Sequence, residues 1–238
     1  MEQDKSLINF DDPKSISDFL NMPMDKIAAA LTGILSVDAL QLRFSAGKIV
    51  QAAFKGKFLN QLGKELKEYI NKGQIKADYL SDSIGRAAIS ELLKFIDEEN
   101  PDEERFKAMK ALFFVSVSEN VSEMDKTIAY ELLKISRRIS SGEILILKAA
   151  YEIASGRARQ SLGAVNRKMT GAPGWLDYIS KQIGHNIPSL VEFYEQNLVD
   201  LKLITERVHS DRSGYLPTDN FRLTKLGVKL CEFLSKES

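Results

Sequence analysis

The stretch from Ile139 to the C-terminus places, in order, a helix, a long loop, two helices, a hairpin and a last helix, and few folds accept that order. Ser140 with Glu143 three residues on forms a capping box for a helix carrying Ile144, Leu145, Leu147, Ala150 and Tyr151, closed by Gly156. Residues 157–174 are polar and glycine-containing, and include Arg157, Arg159, Arg167 and Lys168 with no acid between them, which predicts a mobile basic loop. A short helix, Trp175 to Ile183, ends at Gly184. Pro188 opens the next, which runs to Leu201 and buries Leu190, Phe193, Tyr194, Leu198 and Leu201. Leu203 to His209 alternates as a strand, Asp211-Arg212-Ser213-Gly214 turns, and Phe221-Arg222-Leu223 returns. Thr224 caps a terminal helix with Leu226, Val228, Leu230 and Phe233.

This is the element order of a winged-helix domain, expected over residues 140–238. In such domains the third helix enters the major groove and the wing touches phosphates, with Arg, Lys, Asn or Gln supplying the contacts. Here that helix, Pro188 to Leu201, carries Glu192, Glu195 and Asp200 and no Lys or Arg. The three acids are expected on one side, next to Gln196, where they would repel a duplex. Arg207, His209 and Arg212 on the wing, with Arg157, Arg159, Arg167 and Lys168 of the loop, remain candidate contacts for a nucleic-acid backbone or another anionic partner.

Residues 13–139 are patterned as helix almost throughout, with no alternating strand run, and predict a bundle of about five or six helices behind an acidic, flexible N-terminus. Pro23 opens a helix through Lys26 to Leu35, Ser36 caps the next, and Gly56, Gly63 and Gly73 loosen or end segments. Asn100 caps a helix with Pro101 at its first position, followed by carboxylates that suit the positive helix end. That helix turns Phe106, Met109, Leu112, Phe113 and Val117 inward. Ser122 with Asp125 starts another, burying Ile128, Leu132, Leu133 and Ile135. The expected architecture is therefore mainly α: a helical bundle over 1–139, then a winged-helix-like domain with a small two-stranded hairpin.

Charge narrows the partners. The 33 basic and 33 acidic residues cancel, so no global field draws the chain to nucleic acid or anionic lipid. Locally, Gln41 to Ala77 holds eight basic residues, Arg43, Lys48, Lys55 and Lys57 among them, against two acids, while residues 97–104 hold six acids. Opposed patches of this kind either face each other or solubilise a bundle, and otherwise offer a face to an anionic partner.

Chemistry is not signalled. There is no phosphate-binding loop, dinucleotide fingerprint, nucleophile elbow, HExxH or CxxC, and Ser83-Ile84-Gly85-Arg86 sits in helical surroundings where a phosphate loop cannot form. One cysteine, Cys231, lies on an apolar helix and reads as buried, and two histidines, His185 and His209, cannot build a metal cluster with it. The chain is read as a non-enzyme with no cofactor and no metal. A first segment with four acids by Asp12 is unlike a signal peptide, and no run is long enough for a membrane span, so a cytoplasmic protein is expected. Its expected partner is a protein or a second copy, with DNA as the alternative and a membrane surface ranked last.

Specific strings carry a family resemblance. Ile139-Ser140-Ser141-Gly142-Glu143-Ile144-Leu145-Ile146-Leu147, then Asn197-Leu198-Val199-Asp200-Leu201-Lys202-Leu203-Ile204, then Leu223-Thr224-Lys225-Leu226-Gly227 resemble, in order, motifs of the Abi-alpha family of bacterial proteins, over about residues 100–235. The C-terminal part also looks like the winged helix of MarR-type regulators. Asp200-Leu201-Lys202-Leu203 departs from the usual Leu-Gly-Leu, so the helix ends without its glycine. The resemblance implies an accessory role in phage exclusion or abortive infection, and it brings no catalytic residues with it.

Overall fold

The computed structural model describes residues 46–75, 83–99, 101–155, 179–181, 183–184, 188–206 and 222–235, with the side chains at 46–56, 97 and 188 excepted. The expected helices around Pro23 and Ser36, the loop at 157–174 and the hairpin turn lie outside these residues. What is described is mainly helical. The chain divides into two compact units, Met1–Arg137 and Arg138–Ser238.

In the first unit, α1 (Ala46–Asn71), α2 (Ser83–Glu99), α3 (Glu103–Val117) and α4 (Glu123–Ser136) pack around α3. From Ala108 to Val117 every residue of α3 is buried, which makes it the bundle's central helix rather than an amphipathic one. Leu62 and Leu66 of α1, Ile89, Leu92 and Phe95 of α2, and Leu132 and Leu133 of α4 close around it. Ring contacts fix the register of α1 on α3: Phe58 lies 4.4 Å from Phe106 and Tyr69 stacks 4.2 Å from Phe114, centroid to centroid.

Several local expectations are corrected. Gly56 and Gly63 do not interrupt α1, which runs unbroken for 26 residues. A glycine costs about 1 kcal/mol inside a helix, and burial of Leu59, Leu62 and Leu66 offsets that. Gly73 does end the segment, at φ 66°. The cap of α3 is Asp102, whose side chain accepts from the Arg105 N–H, so Pro101 precedes the cap rather than following it. In α4, Leu132 and Leu133 are buried but Ile128 and Ile135 only half so. Ser122 caps that helix as expected, accepting from Asp125 N.

The second unit holds α5 (Ser141–Ala154), α6 (Pro188–Asp200) and α7 (Lys225–Ser235), with α6 and α7 both packed on α5. The capping box at Ser140 and Glu143 is present, and it does more than cap. Buried Glu143 also accepts from Asn197 Nδ2 at 2.7 Å, and the same amide donates to Arg138 O at 3.1 Å, so one carboxylate joins the start of α5 to α6. Gly142 lets the two helices close: a Cβ there would lie 2.4 Å from the Tyr194 ring. The helix runs to Ala154 with Ser155 as its C-cap, and the expected closing Gly156 lies outside the described residues.

At the far end of α6 the missing glycine is replaced by Lys202 in the left-handed region, at φ 59°. Leu203 N–H donates to Leu198 O and Lys202 N–H to Val199 O, both at 2.9 Å, which is the paired closure of a Schellman end. Beyond it, Ile204 and Leu223 form an antiparallel bridge, and Thr205 N–H donates to Arg222 O at 2.8 Å. Thr224 caps α7, accepting from Gly227 N at 3.0 Å while its hydroxyl donates to Lys202 O at 2.7 Å. Among the described residues no helix is long and apolar enough to cross a membrane.

Candidate functional site

The helix expected to enter a groove is α6, and its two faces can be sorted. Val191, Glu195, Leu198 and Val199 are buried, while Ser189, Glu192, Phe193, Gln196 and Asp200 are exposed. Two expectations fail here. Glu195 does not stand with Glu192 and Asp200 toward a partner: it is 6% exposed and ion-paired with Arg222, itself 6% exposed. Phe193, expected in the core, is 73% exposed.

The reason is rotational. Positions 191, 195, 198 and 199 fall at the i, i+4, i+7, i+8 spacing that faces α5, and a buried arginine at 222 makes a carboxylate acceptable at the second of them. Arg222 is held from several sides: Nε donates to Thr205 O at 3.1 Å, Nη2 to the same oxygen at 2.5 Å, and its backbone sits at φ 71°. The signal for this lay in the pattern, since Glu195 shares its stripe with three aliphatic residues. Its partner, 27 residues on, had no such signal.

The solvent face of α6 is therefore a strip in which a large aromatic ring is flanked by Glu192 on one side and Gln196 and Asp200 along the axis. Gln196 Nε2 donates to Asp200 Oδ1 at 3.1 Å, which fixes both side chains. Phe193 meets Tyr194 edge-on at 5.8 Å. The helix itself carries no Lys or Arg.

Of the basic candidates, Arg43, Arg157, Arg159, Arg167, Lys168, Arg207, His209 and Arg212 lie outside the described residues. Lys48 and Lys55 are carried on α1, with their side chains outside the description. Lys57 is exposed, with Nζ 4.0 Å from Glu103 Oε2 and 5.9 Å from the Phe58 ring centre.

The acidic run has a different use from the one expected. Arg137 donates from Nε to Glu99 at 2.9 Å, from Nη1 to Glu91 at 3.1 Å and from Nη2 to Glu98 at 2.9 Å. Arg105 joins the same carboxylate of Glu99 to Arg137 O and lies over the Phe95 ring at 4.9 Å. Burial works against the Arg137 charge, but hydrogen bonds to Glu99, Glu91 and Glu98 outweigh it and hold its pKa above the ordinary value. With each of its three guanidinium nitrogens bonded to a carboxylate, Arg137 clamps the end of α4 to α2, a structural use of the acidic run.

Cys231 is buried with its thiol donating to Leu147 O at 3.5 Å, and burial pushes its pKa up to about 12, so the thiolate is absent near neutral pH. Among the described residues no group of three or more His, Cys, Asp or Glu is placed to hold a metal ion. No protein-family model, no curated protein and no solved structure matches the chain.

Proposed function

We propose that the chain is a non-enzymatic interaction protein, whose C-terminal unit docks on a protein surface, a second copy of itself first of all, while the helical bundle presents a basic face to a macromolecule. The observation that carries this reading is the exposed face of α6. A ring 73% open to water, bordered by Glu192 and Asp200 on a helix that carries no Lys or Arg of its own, suits a protein contact and opposes a phosphate backbone. In an antiparallel two-fold contact centred on Phe193 the ring meets its own copy.

The unit is read as winged-helix-like, with the bridge between Ile204 and Leu223 as the base of a wing spanning the intervening residues. That bridge is also what favours the second reading, a DNA-binding regulator that grips the backbone through Arg207, His209 and Arg212. An accessory role in phage exclusion rests on the motif resemblance alone.

Light scattering on the full chain tests the first reading. The wild-type protein should elute at twice its 26.7 kDa mass, and Phe193→Glu should weaken self-association by roughly thirtyfold or more, about 2 kcal/mol. Met124, 75% exposed on α4, serves as control, since Met124→Glu should leave the mass unchanged. A wild-type monomer at high concentration would remove the self-association reading.

A further inference from the structure

The buried side of α1 carries Phe58, Leu59, Leu62 and Leu66, and its opposite side carries Lys57, Lys64, Lys67, Glu68 and Asn71, continued by Lys72 just past the helix end, all exposed. At 1.5 Å per residue these positions extend over roughly 22 Å of one helix face. The acids that could neutralise the face are committed elsewhere. Glu65 Oε2 lies 2.6 Å from Lys110 Nζ, deep against α3. Glu98 and Glu99 serve Arg137, and Glu103 stands 3.4 Å from Lys107 as well as 4.0 Å from Lys57. Among the described residues Glu68 pairs with Lys72, at 3.7 Å. Among the described residues no ion pair engages Lys64 or Lys67.

The face also lacks what a protein interface needs at its centre. Its exposed positions between Lys57 and Lys72 are cations, an amide and one acid, with no aromatic or aliphatic side chain among them. Ammonium groups and amides without an apolar anchor are the equipment of backbone contact to phosphates, where lysine acts as a mobile point charge and reads no base.

We propose that the lysine face of α1, centred on Lys64 and Lys67, docks the phosphate backbone of a nucleic-acid duplex without sequence preference. This rests on the reading above that the bundle presents a basic face, and names its partner. Three or four lysine contacts correspond to a log-log salt slope of about −3.

The test is fluorescence anisotropy of a labelled random-sequence DNA duplex with the full chain, from about 20 to about 200 mM salt. Wild-type protein should bind with that slope. Lys64→Glu with Lys67→Glu should bind at least tenfold more weakly, with a slope shallower by about 2, and Lys64→Gln with Lys67→Gln should fall between. Lys94→Glu with Lys225→Glu, exposed lysines elsewhere, changes net charge equally and should stay within about threefold of wild type. Helical circular dichroism of each variant secures the fold.

No duplex binding by the wild type at the lowest salt overturns the proposal, as does equal loss in both charge-reversed pairs or in neither. The basic-face reading fails separately. If the duplex is not bound but reversal at Lys64 and Lys67 releases an acidic protein that elutes with the wild type, that reading stands and the nucleic-acid partner falls. If reversal releases nothing, both fall.

Discussion

Glu195→Ala is expected to destabilise the C-terminal unit by about 3–5 kcal/mol. Removing one member of a buried ion pair strands the other. Arg222 would keep its hydrogen bonds to Thr205 O but lose the carboxylate that its Nη1 meets in a buried site. The loss should be specific to pairing rather than to volume. Glu195→Gln, which keeps a hydrogen-bond acceptor of the same shape, should cost less, and Glu195→Met with Arg222→Met should recover much of the loss because apolar side chains of similar size carry no desolvation penalty. Urea unfolding followed by helical circular dichroism reads the effect. A cost under about 1 kcal/mol would mean that Glu195 reaches water and the pair is a surface one.

Gly227→Ala should cost about 3 kcal/mol, against the ordinary gain of about 1 kcal/mol when a helical glycine becomes alanine. The added Cβ would stand 2.0 Å from Leu203 O, 3.0 Å from Leu203 C and 3.3 Å from a Leu223 methyl group. The obstacle is backbone and cannot swing aside. Leu203 O already accepts from Thr224 N at 3.1 Å and from the Thr224 hydroxyl at 3.2 Å, so moving it breaks the junction that joins the end of α6 to the start of α7. The opposite signs of the two effects make the urea midpoint decisive: a fall supports the close approach, and a rise contradicts it.

What could be read from the sequence was what is decided within a few residues. Ser122, Ser140 with Glu143, and Thr224 announce helix starts because a hydroxyl satisfies an N–H two or three positions on, whatever packs outside. Lys202 shows the limit of that logic. Without a glycine the Schellman end still forms, since burial of Leu198 and Leu203 holds a lysine in a backbone region that glycine would occupy at less cost.

Faces chosen by distant partners were not legible. Phe193 and Tyr194 both fit an apolar stripe by periodicity, and only the approach of Gly142 decides that Tyr194 covers α5 while Phe193 turns to water. The spacing puts Glu195 on the buried stripe, but the counter-charge that makes a carboxylate acceptable there, Arg222, stands 27 residues on and carried no signal. The acidic run after Asp97 looked like the complement of the lysine-rich segment, yet its central members bind Arg105 and Arg137, whose positions depend on how α3 and α4 fold back on α2. Local charge counts carry the sign of a patch but not its use.

The central claim is that the outward face of α6 is a protein-docking surface that the chain uses on itself. Hydrogen exchange of the full chain, followed by mass spectrometry at low and high protein concentration, tests it at the residues concerned. The account predicts slower exchange at high concentration in the peptide covering Leu190 to Asp200, with peptides from α4 unchanged. Identical exchange of that peptide at both concentrations, in a protein shown by mass to be dimeric, would contradict it and move the contact to another surface.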